Sequence, residues 1–378
     1  MSSAQSTPSR TIRSSRRLIA VAALIPVIGV LGACGYGSEK KDDSKKAAPA
    51  ANANKKKLSA SEVKIGYFGN TTHATPIVGL QEGLFAKELG GTSVKTQVFN
   101  AGPAEIEALN AGAIDIGWIG PSPSINGYVK SKGQSLKIIS GSASGGVSLV
   151  VNPKKIKGLD DLKGKRIATP QLGNTQDVAL LNYLAEKGLK VDAQTGKGDV
   201  KVIRQDNKEI PTSFQRGDLD GAWVPEPTAS KLVAAGGKVA LDEKTLWKDG
   251  KFVITNVIVS QKFLKEHPDV VEAVLRGSVK TNAWITANPD KAKKDINSAL
   301  ETLSGKALPD EVLDPAFKNV QITNDPLAST LQQEADHGIK AGLLDKVDLK
   351  GIYDLTLLNK VLKAEGQPEV ADAGLGAK

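Results

Sequence analysis

The chain has 378 residues, a formal net charge of +9, one cysteine and three histidines. The positive excess sits almost wholly before residue 58 and leaves +1 for residues 58–378, which excludes a nucleic-acid-binding face on the body of the protein. His73, His267 and His337 have no paired spacing for zinc, and neither a G-x-S-x-G elbow nor a P-loop occurs.

Taken in chain order, Arg10, Arg13, Arg16 and Arg17 form a basic region ahead of an apolar run from Leu18 to Leu31. That order predicts a secretory signal over residues 1–33, with an apolar core shorter than the roughly 20 residues of a spanning helix. The Leu31–Cys34 sequence, Leu-Gly-Ala-Cys, resembles a bacterial lipobox, which implies a lipid on Cys34. Arg16-Arg17 also permits a twin-arginine reading, so the export route stays open. Residues 34–57 are lysine-rich, have almost nothing to bury and read as a flexible tether. The protein is therefore expected outside the cytoplasm, anchored to the outer face of the cell membrane.

The body alternates strand-like and helix-like segments. Strands are predicted from Val63, Val94, Asp115, Leu136, Val147, Lys165, Val200, Gly221 and Phe252. Helices are predicted over Pro76–Leu89, Ala104–Asn110, Thr175–Lys187, Glu209–Gln215 and Glu226–Ala235, and then over Pro268–Ala287, Pro289–Leu303, Pro326–Ala341 and Asp354–Ala364. This pattern predicts an α/β protein with mainly parallel sheets.

Two signatures recur in order. "KIGYFGNTT" (64–72) and "RIATPQLGNTQ" (166–176) both lead from a strand into Gly-Asn-Thr. "AGAIDIGWIGP" (111–121) and "RGDLDGAWVPE" (216–226) both carry an Asp three residues before a Trp. Gly69 and Asp115 lie 46 residues apart, Gly173 and Asp220 47 apart, which suggests a duplicated βα unit. In an open α/β sheet, ligands sit beyond the carboxyl ends of strands, where helix N-termini offer free N–H groups. "GPSPS" (120–124) and "SGSASGG" (140–146) add further small, hydroxyl-rich turns. One such turn is ordinarily a helix cap; four at strand ends point to a shared ligand cleft. An anion held there by N–H and hydroxyl groups needs no lysine.

The lipobox, "KIGYFGNTTHATPIVGLQEGLFAKEL", "GAIDIGWIGPSPSINGY", "PQLGNTQDVALLNYL" and "GAWVPEPTASKL" together resemble the substrate-binding lipoproteins of ABC importers, in the sulfonate/nitrate/taurine branch. The resemblance implies a two-lobed, periplasmic-binding-protein-like fold (type II), with two hinge crossovers near Gly141–Val147 and Thr255–Val257. Lobe 1 would comprise residues 58–141 and 257–378, and lobe 2 residues 142–256. The partners implied are a small anionic solute and the importer's permease subunits. The anionic group is expected among Asn70, Thr71, Ser122, Ser142, Gly173, Asn174 and Thr175, with His73 as a further donor. Trp223, followed by Pro225 and Glu226, matches the family's W-x-P-E-P turn on the facing lobe, while Trp118 is its counterpart in the first copy and is open to core packing. Neither a cofactor, a metal nor a catalytic residue is expected. An aliphatic sulfonate, permanently ionised and accepting hydrogen bonds only, suits this cradle best. Nitrate and a neutral pyrimidine or thiamine precursor stay open, as does a pyrimidine-synthesis enzyme of the same fold.

Overall fold

The computed structural model describes residues 57–376; the expected leader, Cys34 and nearly all of the tether lie outside them. The chain begins with β1 (Glu62–Phe68), α1 (Ala74–Gln81), α2 (Leu84–Leu89), β2 (Ser93–Phe99), α3 (Gly102–Asn110), β3 (Ile116–Ile119) and α4 (Pro121–Lys130). It crosses to a second lobe along β4 (Leu136–Gly145) and β5 (Val147–Val151). There follow β6 (Arg166–Thr169), α5 (Thr175–Glu186), β7 (Lys201–Arg204), α6 (Ile210–Gln215), β8 (Gly221–Pro225), α7 (Thr228–Ala234) and β9 (Lys238–Asp242). Strand β10 (Val253–Ser260) returns to the first lobe, and α8 (Gln261–Glu266), α9 (Pro268–Ala287) and α10 (Pro289–Ser304) pack there. The chain ends with α11 (Asp310–Lys318), β11 (Val320–Ile322), α12 (Leu331–Lys340) and α13 (Thr356–Ala364).

Two sheets result, ordered β11-β4-β10-β3-β1-β2 and β7-β6-β8-β5-β9. The repeated signatures occupy matching places in them. In each sheet three parallel strands, β2-β1-β3 and β7-β6-β8, carry one copy. Asp115 Oδ2 accepts from Lys64 N–H at 2.8 Å, and Asp220 Oδ2 accepts from Arg166 N–H at 2.9 Å. Each Asp so ties the start of its third strand to the start of the first.

The expected mainly parallel pairing is confined to those units. Strands β4, β5, β9, β10 and β11 all pair antiparallel, so both sheets are mixed. For β4, β5 and β10 the reason is topological: strands that carry the chain between lobes enter each sheet without a covering crossover helix. Gly83, at φ 65°, divides the single helix expected over Pro76–Leu89 into α1 and α2. The "SGSASGG" run is not a turn but the end of β4, held between β10 and β11. Its small residues answer a close approach, because a Cβ on Gly141 would fall 2.1 Å from the Asp325 carbonyl oxygen.

One hydrophobic core gathers β1, β3, α9 and α13 with Trp118, whose ring meets Phe85 edge-on at 5.7 Å. A second gathers β5, β6 and α5 around Trp223 and Tyr183. Along β4 the change of core falls between Ile139 and Ala143; along β10 it falls between Ile254 and Val257. The C-terminal segment does not stay with one lobe. Leu331 and Ala335 of α12 join the first core, but Ala341 joins the second. Among the described residues no helix is long and apolar enough to cross a membrane.

Candidate functional site

The N-terminal ends of several elements meet between the lobes. The first lobe brings the Asn70–His73 turn ahead of α1 and Gly120 ahead of α4; the second brings Asn174 and Thr175 at the start of α5. They surround a tight, nearly closed cavity of about 10 Å³, room for roughly one water, which is also lined by Phe68, Thr72, Asn100, Gln176, Asn207, Pro225 and Ile254. No lysine or arginine lines it.

The two Gly-Asn-Thr turns do different work. Asn70 caps its turn, its Oδ1 accepting from Thr72 N–H at 3.0 Å and from Thr72 Oγ1 at 2.8 Å. At Gly173, with φ 74°, the N–H donates instead to Asp177 Oδ2 at 3.0 Å. Asp177 also accepts from Thr169 Oγ1 and is paired with Arg204 at 2.9 Å. This frees Asn174, whose Oδ1 reaches across the cleft to accept from Gly102 N–H at 3.1 Å. A second bond between the lobes joins Asn100 Nδ2 to Asp206 Oδ2 at 3.0 Å. Gly120 permits their close approach, since a Cβ there would fall 2.3 Å from Thr175 Oγ1.

Donors remain available. The amides of Thr175 and Gln176 have no acceptor among the described residues, as expected in the first turn of a helix. The buried hydroxyls of Thr71 and Thr175 also lack partners. His73 Nδ1 accepts from Phe68 N–H at 3.2 Å, and burial pushes the imidazole down to about 3. The ring is therefore neutral at physiological pH, with its proton on Nε2 as a donor. Helix N-termini supply the favourable field for an anion.

Of the residues expected at the site, Asn70, His73, Asn174 and Thr175 line this cavity, and Thr71 lies beside it in the same turn. The others are elsewhere. Ser122 and Gly173 face a second space behind α4 and α5. Ser142 donates to Thr75 Oγ1 at 3.0 Å, which in turn donates to Asn282. Trp223 is fully buried, and its indole N–H is given to Glu243 at 2.6 Å; it is a core residue, as is Trp118. Glu226 accepts from Ser230 N–H at 3.0 Å and from Asn319 Nδ2 at 2.8 Å, so it ties α7 to α11. Asn100 and Asn207 were not anticipated. They follow the edge strands β2 and β7 of the duplicated units, and the repeat was the signal that would have found them.

Two α/β lobes closing on an uncharged, donor-rich cavity define a solute-binding architecture. The chain belongs to the NMT1-like family, which it matches over residues 56–300. It is 32% identical over 238 residues to the taurine-binding periplasmic protein of Escherichia coli (strain K12), covering 62% of this chain and 71% of that one. A Bacillus subtilis (strain 168) protein described as aliphatic sulfonates-binding is 28% identical over 353 residues, 90% of this chain and 96% of its own. In fold, the alkanesulfonate-binding protein of Xanthomonas axonopodis pv. citri bound to MOPS matches with a TM-score of 0.62 at 23% identity, over 76% of this chain and 95% of that one.

Proposed function

We propose that this chain is an extracytoplasmic solute-binding lipoprotein that captures a small anion, an aliphatic sulfonate, between its lobes and delivers it to an ABC importer. The observation that carries this reading is the cavity itself: helix N-termini, free amides and hydroxyls, a neutral imidazole and no cationic side chain. A sulfonate stays ionised at any physiological pH and accepts hydrogen bonds only, so it matches a wall of donors. The relatives named for taurine and aliphatic sulfonates support the same ligand class.

In this reading the solute bridges Asn70, Thr71 and His73 of one lobe and Asn174 and Thr175 of the other. It stabilises the closed form because only there do both sets reach it, and the closed form is what the permease subunits receive. In this reading the hinges fall close to residues 142 and 256, between lobe 1 and lobe 2; the change of hydrophobic core along β4 and β10 supports that placement. Cys34 carries the lipid that holds the protein at the membrane.

A thermal-shift panel tests the ligand. The full chain is heated with alkanesulfonates, taurine, sulfate, nitrate and neutral pyrimidines. A sulfonate at a hundred times its Kd should add about 2.7 kcal/mol to stability and raise the midpoint. A shift with pyrimidines or nitrate alone would overturn the sulfonate assignment. The anchor is tested separately: Cys34→Ala should move the protein from the membrane fraction to the soluble one, and retention would remove the lipid from the account.

A further inference from the structure

Beside the cavity described above lies another small one, of about 20 Å³, shared by both lobes. Ser122 and Asn126 of α4 wall it on one side, Gly173 and Val178 on the other, and Glu334 of α12 lies between them. Glu334 is only 3% exposed. Its Oε2 lies 3.5 Å from Ser122 Oγ, a weak hydrogen bond, and its Oε1 has no partner among the described residues. Asn126 Oδ1 is likewise buried without a partner. The space thus holds two acceptors, a carboxyl oxygen and an amide oxygen, and lacks a donor for either.

This burial depends on both lobes. Helix α12 touches both lobes: Leu331 and Ala335 pack in the first core, His337 lies against Trp247 of the second, and Glu334 sits between α4 of one lobe and Gly173 and Val178 of the other. Parting α4 from α5 would open this space on one side and let water reach Glu334; closing it would expel that water. A carboxylate that loses its water and gains one weak donor is strongly disfavoured, while a protonated carboxyl supplies the missing O–H.

We propose that closure of the lobes is coupled to uptake of one proton from solvent by the Glu334 carboxyl, making α12 a proton-linked latch on the cleft. The proposal rests on the reading that the lobes open and close on a solute. Burial, and then the nearby Glu243 carboxylate, hold the Glu334 carboxyl well above the usual carboxylate range in the closed form. The closed form therefore binds more protons than the open one. Closure is favoured at acid pH and weakens as pH rises above the ordinary carboxylate value, by about tenfold per pH unit until the closed form also ionises.

The other titratable groups facing this region have separate roles. Glu243 is pushed up to about 7 by burial, but the indoles of Trp223 and Trp247 both donate to it, and all three stay within the second lobe. It nevertheless faces Glu334 across the closed space, so Glu243→Gln is the control that separates its titration from that of Glu334. His337, one turn along α12 against Trp247, is lowered by burial, which disfavours its charged form. The Tyr353 hydroxyl is held far above its usual value by burial, and by Asp325 and Glu334, so it does not ionise. Asp177, on the first turn of α5, is engaged by Arg204.

The test reads the distance between lobes directly. Spin labels are placed at Gln97 and Lys201, exposed positions on β2 and β7, in the full chain with Cys34→Ser. Distance distributions are recorded from pH 5 to 8, with and without ethanesulfonate, for this protein and for Glu334→Gln. The expected result is a closed population that falls with rising pH in the parent and stays constant in Glu334→Gln, a neutral isostere of the protonated side chain. The same pH response in both proteins would overturn the latch, as would a response to sodium or potassium in place of pH. A pH response that Glu334→Gln abolishes, with no effect of ethanesulfonate on either protein, would uphold the latch while removing the sulfonate reading.

Discussion

Asp177→Ala should lower the free energy of unfolding by about 3–5 kcal/mol, the range for removing one partner of a buried ion pair. Asp177 is fully buried and its carboxylate serves four donors: Thr169 Oγ1 at 2.7 Å, Gly173 N–H at 3.0 Å, and Arg204 Nε and Nη2 at 2.9 and 3.2 Å. Alanine leaves the largely buried Arg204 guanidinium without its counter-charge and the Gly173 amide without an acceptor. The loss should therefore appear twice, as a lower urea midpoint and as a looser turn at the start of α5. Asp177→Asn keeps an acceptor for Thr169 but loses the charge, and should fall between the two. A change under 1 kcal/mol in the alanine variant would show that Arg204 finds water or another partner at little cost.

Asn174→Ala combined with Thr175→Ala should weaken binding of the solute by about 2–4 kcal/mol, or roughly 30- to 1,000-fold. The two side chains act differently. Thr175 Oγ1 is buried without a partner and is free to donate to an anion. Asn174 Oδ1 joins the lobes through Gly102 N–H, so its loss removes a bond that exists only when the cleft is shut. Calorimetry on the folded double variant, with an unchanged unfolding midpoint as control, separates affinity from stability. Unchanged affinity would take this turn out of the site.

Much of the fold was legible from local pattern. Each predicted strand lies within about two residues of an observed one at its start, because apolar alternation and Gly-rich turns are local properties. Pro268–Ala287 is observed with the bounds expected. Strands β9 and β11 carry no such signal: the first is an edge strand with no fully buried residue, and the second is three residues long and exists through its pairing with β4. The sequence presents α4 as a turn, since Pro121 and Pro123 look like breakers until their places in a helical first turn are known.

The site was legible to the extent that it is repeated. The duplicated Gly-Asn-Thr turns pointed to Asn70, Asn174 and Thr175, and the missing lysine and arginine were visible in the same stretches. Nothing local revealed that Ser142 is bonded to Thr75, Trp223 to Glu243, or Glu226 to Asn319. A polar side chain contributes to a cleft only if nothing nearer claims it, and here the claimants lie 67, 20 and 93 residues away in sequence.

By itself, then, the sequence determined the compartment expected for the chain, the α/β class, the duplication and the uncharged character of the donor turns. These follow from composition, period and spacing, which are properties of short segments. Only the tertiary structure decided which of those turns share a cavity, which polar groups are already satisfied, and that Glu334, in a helix with no sequence signature, is buried between the lobes. Those outcomes depend on distances between remote residues and on exclusion of water, and both arise only when the two lobes and the C-terminal helices pack together.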